Sequence, residues 1–240
     1  MEYFDKLKNN FSEDWLERLK PYLFSEEFKN ILSTLSSEKK NYNIYPEANN
    51  VFRVFKETPL SKVRVVILGQ DPYYTKGVAD GLAFSSNIPT YIPPSLNTIY
   101  QELENEYSSG ENKLILKRSS SLKSWANQGV LLLNTALTVR EKEPGVHIKL
   151  WRPFITEVFK ALAEECKKSD NFIIFLLWGN YAKSFQKELE EMSNRFQCLT
   201  AGHPSPLSKK LFLGCGHFDR TNKLLSYFNM DNQEIKWYEN

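Results

Sequence analysis

The sequence predicts an α/β fold: a single domain with a central, mainly parallel four-stranded sheet flanked by helices on both sides. Three observations predict it. Four short apolar runs recur along the chain, helix-like amphipathic stretches lie between them, and 240 residues suit one large domain. Strands that alternate with helices need crossovers, and crossovers give parallel sheets.

Taken in order, residues 12–34 read as one or two amphipathic helices broken near Pro21, and residues 1–43 as a helical portion that packs on the core. The first expected strand runs from Val63 to Leu68, the second from Val130 to Leu133, the third from Phe172 to Leu177. The weaker stretch from Gln197 to Thr200 is the fourth. The first three are short, rich in β-branched or aromatic residues, and stop at Gly, Asn or Trp-Gly; they read as buried strands, with a buried helix segment as the alternative that pattern alone leaves open. A helix is expected from Ser95 to Tyr107, after Pro93-Pro94, with Leu96, Ile99, Tyr100 and Leu103 at helical spacing. Another is expected from Trp151 to Lys168, and a third from Tyr181 to Met192 with Asn180 as its N-cap. Gly214-Cys215-Gly216-His217-Phe218 reads as a tight turn. No internal repeat or low-complexity linker divides the chain, so residues 1–240 are expected to be one domain.

Composition narrows the class. Hydrophobic residues at 41% and charged residues at 25% exclude a disordered chain and a fibrous repeat. No stretch approaches the roughly 18 apolar residues that span a bilayer. The first residues, Met1 to Lys6, are mixed in charge, so neither a secretory signal nor a transit peptide is expected. The expected compartment is the cytoplasm, or the nucleus in a eukaryotic host. A net charge of +2 allows a local basic face without demanding an anionic partner. Cys166, Cys198 and Cys215 are odd in number and far apart, which fits a reducing compartment and no disulfide framework. His147, His203 and His217 are not at helical metal-ligand spacing and no Cys-x-x-Cys occurs, so no metal site is expected. Aromatic residues reach 14%, enough to fill a core and to meet flat ligands such as bases.

In open α/β sheets ligands bind beyond the carboxyl ends of the strands. The residues just after each run therefore carry the chemistry: Gly69-Gln70-Asp71-Pro72-Tyr73-Tyr74, Asn134-Thr135, Trp178-Gly179-Asn180 and Gly202-His203-Pro204-Ser205. Parallel neighbours would bring a carboxylate, an amide and an imidazole to one rim. Asp71 precedes a proline, which holds it extended. It suits either a water-orienting, cation-stabilising role or a plain turn hydrogen bond. His203 sits in a stiff double X-Pro loop among small polar residues, a setting that favours function over a structural role. Asn134 either satisfies a turn or reads the edge of an amide-like ring such as a pyrimidine. Phe84 either packs in the core or stacks on a base. Pro93-Pro94-Ser95, Gly179-Asn180 and Ser205-Pro206 lie at or near helix starts, where phosphate is favoured. Lys209, Lys210 and Arg220 are the nearby cations.

Gly69-Gln70-Asp71-Pro72-Tyr73, Gly81-Leu82-Ala83-Phe84-Ser85, Pro93-Pro94-Ser95-Leu96, Leu131-Leu132-Leu133-Asn134-Thr135, Leu177-Trp178-Gly179 and His203-Pro204-Ser205-Pro206-Leu207-Ser208 occur in this order. The set closely resembles the family-1 uracil-DNA glycosylases, from about Ile44 to about Trp237. The resemblance implies flipping of deoxyuridine from DNA and hydrolysis of its N-glycosidic bond, with release of uracil, an abasic site left behind, and no metal or cofactor. It implies that Asp71 orients the attacking water and stabilises the oxocarbenium-like sugar, while His203, as a neutral imidazole, hydrogen-bonds the uracil oxygen. It implies that the Gln70 backbone helps hold base and water, that Asn134 reads the amide edge, that Phe84 stacks on the ring and that Tyr73 rejects thymine. Leu207 would fill the space the nucleotide leaves, and Pro93, Ser95, Gly179 and Ser205 would contact the DNA backbone.

The chain departs from the family pattern at three places. Tyr74 stands where the family has His, Asn180 replaces a common Ser, and the loop from Pro144 to Trp151 keeps His147 alone of two histidines and lacks the Gly before Trp151. Weaker phosphate contact and a shallower salt dependence are expected. The expected partners are uracil-containing DNA, single- or double-stranded, and an acidic DNA-mimic protein inhibitor. No membrane contact is expected, and the chain is expected to be a monomer. Two other functions fit in part. One is a DNA-binding or replication-accessory module on the same fold. The other is an α/β enzyme acting on a nucleotide or phosphate ester, which the lack of a Gly-rich phosphate loop disfavours.

Overall fold

The structure is a computed structural model that describes residues 7–108, 115–229 and 234–238. The first six residues of the expected helical N-terminal portion therefore lie outside the described residues. The chain opens with α1 (Glu13–Leu23) and α2 (Glu26–Glu38), then β1 (Ile44–Tyr45), α3 (Arg53–Glu57) and β2 (Val65–Gly69). It continues through α4 (Pro94–Tyr107), α5 (Lys123–Ala126), β3 (Val130–Asn134), β4 (Val139–Arg140) and α6 (Ile148–Ser169). The last part holds β5 (Ile173–Trp178), α7 (Gly179–Lys183), α8 (Gln186–Met192), β6 (Phe196–Ala201), α9 (Lys209–Phe212) and α10 (His217–Asn229).

Four strands form one parallel sheet in the order β3-β2-β5-β6. The run from Val65 to Gly69 pairs in register with Val130 to Asn134, and Leu68 faces Leu177 on the other side. Every residue of β2, β3 and β5 is buried, as expected of strands covered on both faces by helices. β1 and β4 make a separate antiparallel pair, Ile44 with Arg140 and Tyr45 with Val139. α1 and α2 pack on α6. Their aromatic rings merge with those of neighbouring elements: Trp15 meets Phe55 at 5.2 Å, Phe28 meets Phe154 at 5.5 Å and Phe52 meets Trp151 at 5.9 Å. A second cluster joins Trp125, Phe218 and Trp237. Much of the high aromatic content therefore fills the core. No helix among the described residues is long and apolar enough to cross a membrane.

Three local expectations need correction. Pro21 does not break the first helix but sits inside α1. The break falls at Phe24 and Ser25, because the Ser25 hydroxyl accepts the Phe28 N–H at 3.2 Å and caps α2. The expected helix from Tyr181 to Met192 is two helices, α7 and α8. Asn180 is not its N-cap. Gly179, at φ +90°, turns the chain straight off β5 and starts α7 two residues earlier than expected, with Trp178 at the N-cap position. Finally, the turn at Gly214 to Gly216 leads into α10 at His217. Glu106 of α4 accepts the N–H groups of Phe218 and Asp219 at the start of α10, a cap from about 110 residues away in sequence.

Candidate active site

β2, β3, β5 and β6 end at the same edge of the sheet. The chain leaves β2 toward β3 on one side, and β5 lies on the other side of β2, so the strand order reverses there and opens a crevice. A cavity of about 210 Å³ lies at that edge. Gln70, Asp71, Tyr73, Phe84, Ser95, Asn134 and His203 all line it, although they come from five separate stretches of sequence. Tyr74 lines it too and stays exposed.

Asp71 follows β2 by two residues. Its Oδ2 accepts the Gly145 N–H, and its Oδ1 accepts a long contact of 3.5 Å from the Gln70 amide. Burial pushes its carboxyl above the ordinary range, against the Gly145 bond, the Gln70 contact and the charge of His147. The Gln70 carbonyl is engaged away from solvent, accepting the Ala136 N–H and the Thr135 hydroxyl, each at 2.9 Å. The loop after β2 is thereby tied to the loop after β3.

Asn134 ends β3 and is 7% exposed. It is the register partner of Gly69. A Cβ on Gly69 would stand 2.2 Å from Asn134 Oδ1, so the missing side chain makes room for the carboxamide. Phe84 holds φ +64°, a region that bulky residues avoid. Neighbours impose that backbone. The Tyr73 hydroxyl donates to the Phe84 carbonyl at 3.0 Å, which also fixes the Tyr73 ring. The buried Asp80 accepts the Leu82 N–H at 3.0 Å and the Ser85 hydroxyl at 2.6 Å, and pairs with Arg53 at 2.9 Å. The Phe84 ring lies 5.6 Å from Trp178 and 6.0 Å from His203.

His203 follows β6 by two residues. Its Nδ1 accepts the Ser205 N–H at 3.0 Å, which leaves the proton of the neutral ring on Nε2. Burial lowers its pKa, so the neutral form dominates at pH 7. Gly179 is fitted to this ring: a Cβ there would come within 2.8 Å of His203 Cβ.

The remaining expected DNA contacts do not line the cavity. Pro93 is buried, and its carbonyl begins the α4 ladder by accepting the Asn97 N–H at 2.8 Å. Ser205 spends its backbone N–H on His203. Leu207 stands 99% exposed beyond the His203 loop, and Leu211, which sequence reasoning missed, is 76% exposed close by. Sequence reasoning also missed Asp80, Gly145 and Trp178 as supports. Asp80-Gly81 was a visible turn signal and Trp178 stood in a strand-end motif without a role, whereas Gly145 reaches the site only through folding. Among the described residues, Glu102, Glu106 and Cys215 place three donor atoms within 4.8 Å of one another, away from the cavity. The two carboxylates there already accept N–H groups from Gly214, Gly216, Phe218 and Asp219, which is a helix-capping arrangement.

A family model for the uracil DNA glycosylase superfamily matches residues 55–226. A uracil-DNA glycosylase of Fusobacterium nucleatum is 42% identical over 231 residues, covering 95% of this chain and 96% of the relative. One from Deinococcus radiodurans is 40% identical over 217 residues, covering 90% and 84%. In three dimensions the chain is similar to a mimivirus uracil-DNA glycosylase, with a TM-score of 0.78, 26% identity and coverage of 96% and 88%. It is also similar to a mimivirus UNG variant solved in complex with UGI, with a TM-score of 0.77, 27% identity and coverage of 95% and 88%.

Proposed function

The chain belongs to the uracil DNA glycosylase superfamily, and we propose that the cavity at the sheet edge is where flipped deoxyuridine loses its base. The protein is a monofunctional N-glycosylase that excises uracil from DNA, the first step of base excision repair. One observation carries the assignment of roles: Asp71, Asn134 and His203, from the ends of three parallel strands, line one cavity with Phe84.

In the reaction the bond between sugar C1′ and base N1 breaks. Positive charge develops on the sugar and negative charge on the base. A fixed carboxylate at Asp71 stabilises the first and orients the water whose oxygen takes C1′. The Nε2–H of His203 donates to the uracil oxygen and stabilises the second. Neither group has to reorganise, because the Gly145 and Ser205 N–H groups already hold them. The proton released by the water ends on uracil. Asn134, nearly buried, reads the imide edge through its paired donor and acceptor, and Phe84 stacks on the ring. Tyr73, pinned by its hydroxyl to the Phe84 carbonyl, walls off the position where thymine carries a methyl. A rigid wall is needed because one methyl is worth only about 1–3 kcal/mol through favourable contacts. Leu207, projecting beyond the pocket, fills the gap left in the stack, and Pro93, Ser95, Gly179 and Ser205 lie along the path of the DNA backbone.

The same face suits an acidic protein that imitates DNA, in keeping with the UGI complex of the mimivirus relative. The protein acts as a monomer in the cytoplasm, or in the nucleus of a eukaryotic host. The test is release of free uracil from a uracil-containing oligonucleotide in the presence of EDTA. Asp71→Asn should reduce turnover by about 10²- to 10⁴-fold while binding stays largely intact. No release by folded parent protein refutes the activity, and equal turnover by the variant removes Asp71 from the reaction.

A further inference from the structure

The loop that supplies Gly145 is held from behind by the N-terminal helical portion. His147 is 2% exposed and follows Gly145 by two residues. Its Nε2 meets Glu38 Oε2 of α2 at 2.8 Å, and its Nδ1 meets Thr138 Oγ1 at 2.8 Å. Trp151 Nε1–H donates to the same Thr138 oxygen at 2.8 Å. A carboxylate only accepts, so the His147 proton must sit on Nε2 whether the ring is neutral or charged. Arg140 of β4 donates to both oxygens of Glu38, at 2.6 and 3.1 Å, and stacks over Tyr42 at 4.1 Å. Asn43 and Glu141 exchange two further bonds, at 2.8 and 2.9 Å. The loop so clasped touches the segment after β2 twice. Gly145 N–H donates to Asp71 Oδ2, and Lys142 N–H donates to the Tyr74 carbonyl at 3.4 Å.

We propose that Glu38 is a positioning residue for the Asp71 carboxylate: through His147 it fixes the loop whose Gly145 N–H holds Asp71. The N-terminal helices are then part of the catalytic device. This inference rests on the role given to Asp71 above. A backbone N–H aimed at a carboxylate stabilises its charged form, and a small misplacement of a catalytic group costs much of the rate. The groups that act on the Asp71 charge are the Gly145 and Gln70 N–H donors and the His147 ring. Those facing Glu38 are Arg140 and His147, with Glu143 beyond Arg140.

The experiment compares parent, Glu38→Ala, Glu38→Gln and Asp71→Asn in uracil release across pH, with Tm measured alongside. Glu38→Ala should lower kcat on the order of tenfold with KM nearly unchanged, and should move the acid limb of the profile to higher pH. Glu38→Gln keeps an acceptor for the His147 Nε2–H and should recover most of the rate. If Glu38→Ala does not fold, Glu38→Asp, which withdraws the carboxylate by one methylene, takes its place with the same expected shift. A variant with lowered Tm but the parent's kcat and acid limb overturns the inference. An active Asp71→Asn overturns the reading beneath it. An inactive Asp71→Asn beside a parent-like Glu38→Ala overturns this inference alone.

Discussion

Asp71 and His203 are shifted in opposite directions, yet both limit the reaction on the acid side. Asp71 must be ionised, and burial raises its pKa, so the active form is lost as pH falls through that raised value. His203 must be neutral, and burial lowers its pKa, so protonation intrudes only below the ordinary histidine range. The rate should therefore climb from acid pH to a plateau at neutrality, with the acid-side loss shared between protonation of Asp71 and protonation of His203. A decline in single-turnover rate between pH 7 and 9 would contradict this assignment. Glycines set the geometry around these groups. Gly69→Ala places a methyl on the Asn134 carboxamide and should raise KM for uracil DNA and cost about 1–3 kcal/mol of stability, read by urea unfolding. Unchanged KM would show that the carboxamide has somewhere else to go. Asp71, Asn134 and His203 were legible because each follows an apolar run. Gly145 was not, because its N–H becomes a ligand of Asp71 only when a segment more than 70 residues away folds over it.

At the scale of elements, β5 and α10 are joined through one hydrogen bond. Trp178 Nε1–H donates to His217 Nδ1 at 3.0 Å, and Trp178 in turn supports Phe84. Burial and the charge of Arg220 lower the His217 pKa to about 4. The folded protein thus resists a proton that the unfolded chain takes up near pH 6.5. Stability should be fully present above that value and fall as pH drops toward 4, by on the order of 3 kcal/mol from this group. Urea titrations at pH 7 and pH 4.5 check it: His217→Gln should flatten the difference, and an equal drop in the variant would remove His217 as the cause. The strands were readable because a parallel sheet buried on both faces leaves uninterrupted Val, Ile and Leu runs. α10 was not, since its start is capped by Glu106 from α4 rather than by a neighbour in sequence. The two helices after β5 were merged for a related reason: the apolar spacing continues while the backbone breaks at Ser184 and Phe185.

For the whole molecule, a net charge of +2 leaves little general attraction for DNA, so affinity must come from local contacts. Tyr74, in place of the histidine at this position in the family pattern, can donate a hydrogen bond but brings no charge. Affinity for a uracil-containing duplex should fall less steeply with salt than for a family member with that histidine, the slope differing by about 0.9 for each phosphate left without a cationic partner. An equal slope would refute the weaker phosphate contact. By itself the sequence determined the four strands, the long helices before β2, after β2 and after β3, and the residue types at the strand ends, because burial of apolar runs and the restrictions of proline and glycine act over a few neighbouring residues. Only the tertiary structure decided how those residues are held: the tautomer of His203, the left-handed backbone of Phe84 and the clasp from Glu38 to Asp71. Each depends on a hydrogen bond or a contact between atoms distant in sequence, and no local pattern encodes where a distant donor will come to rest.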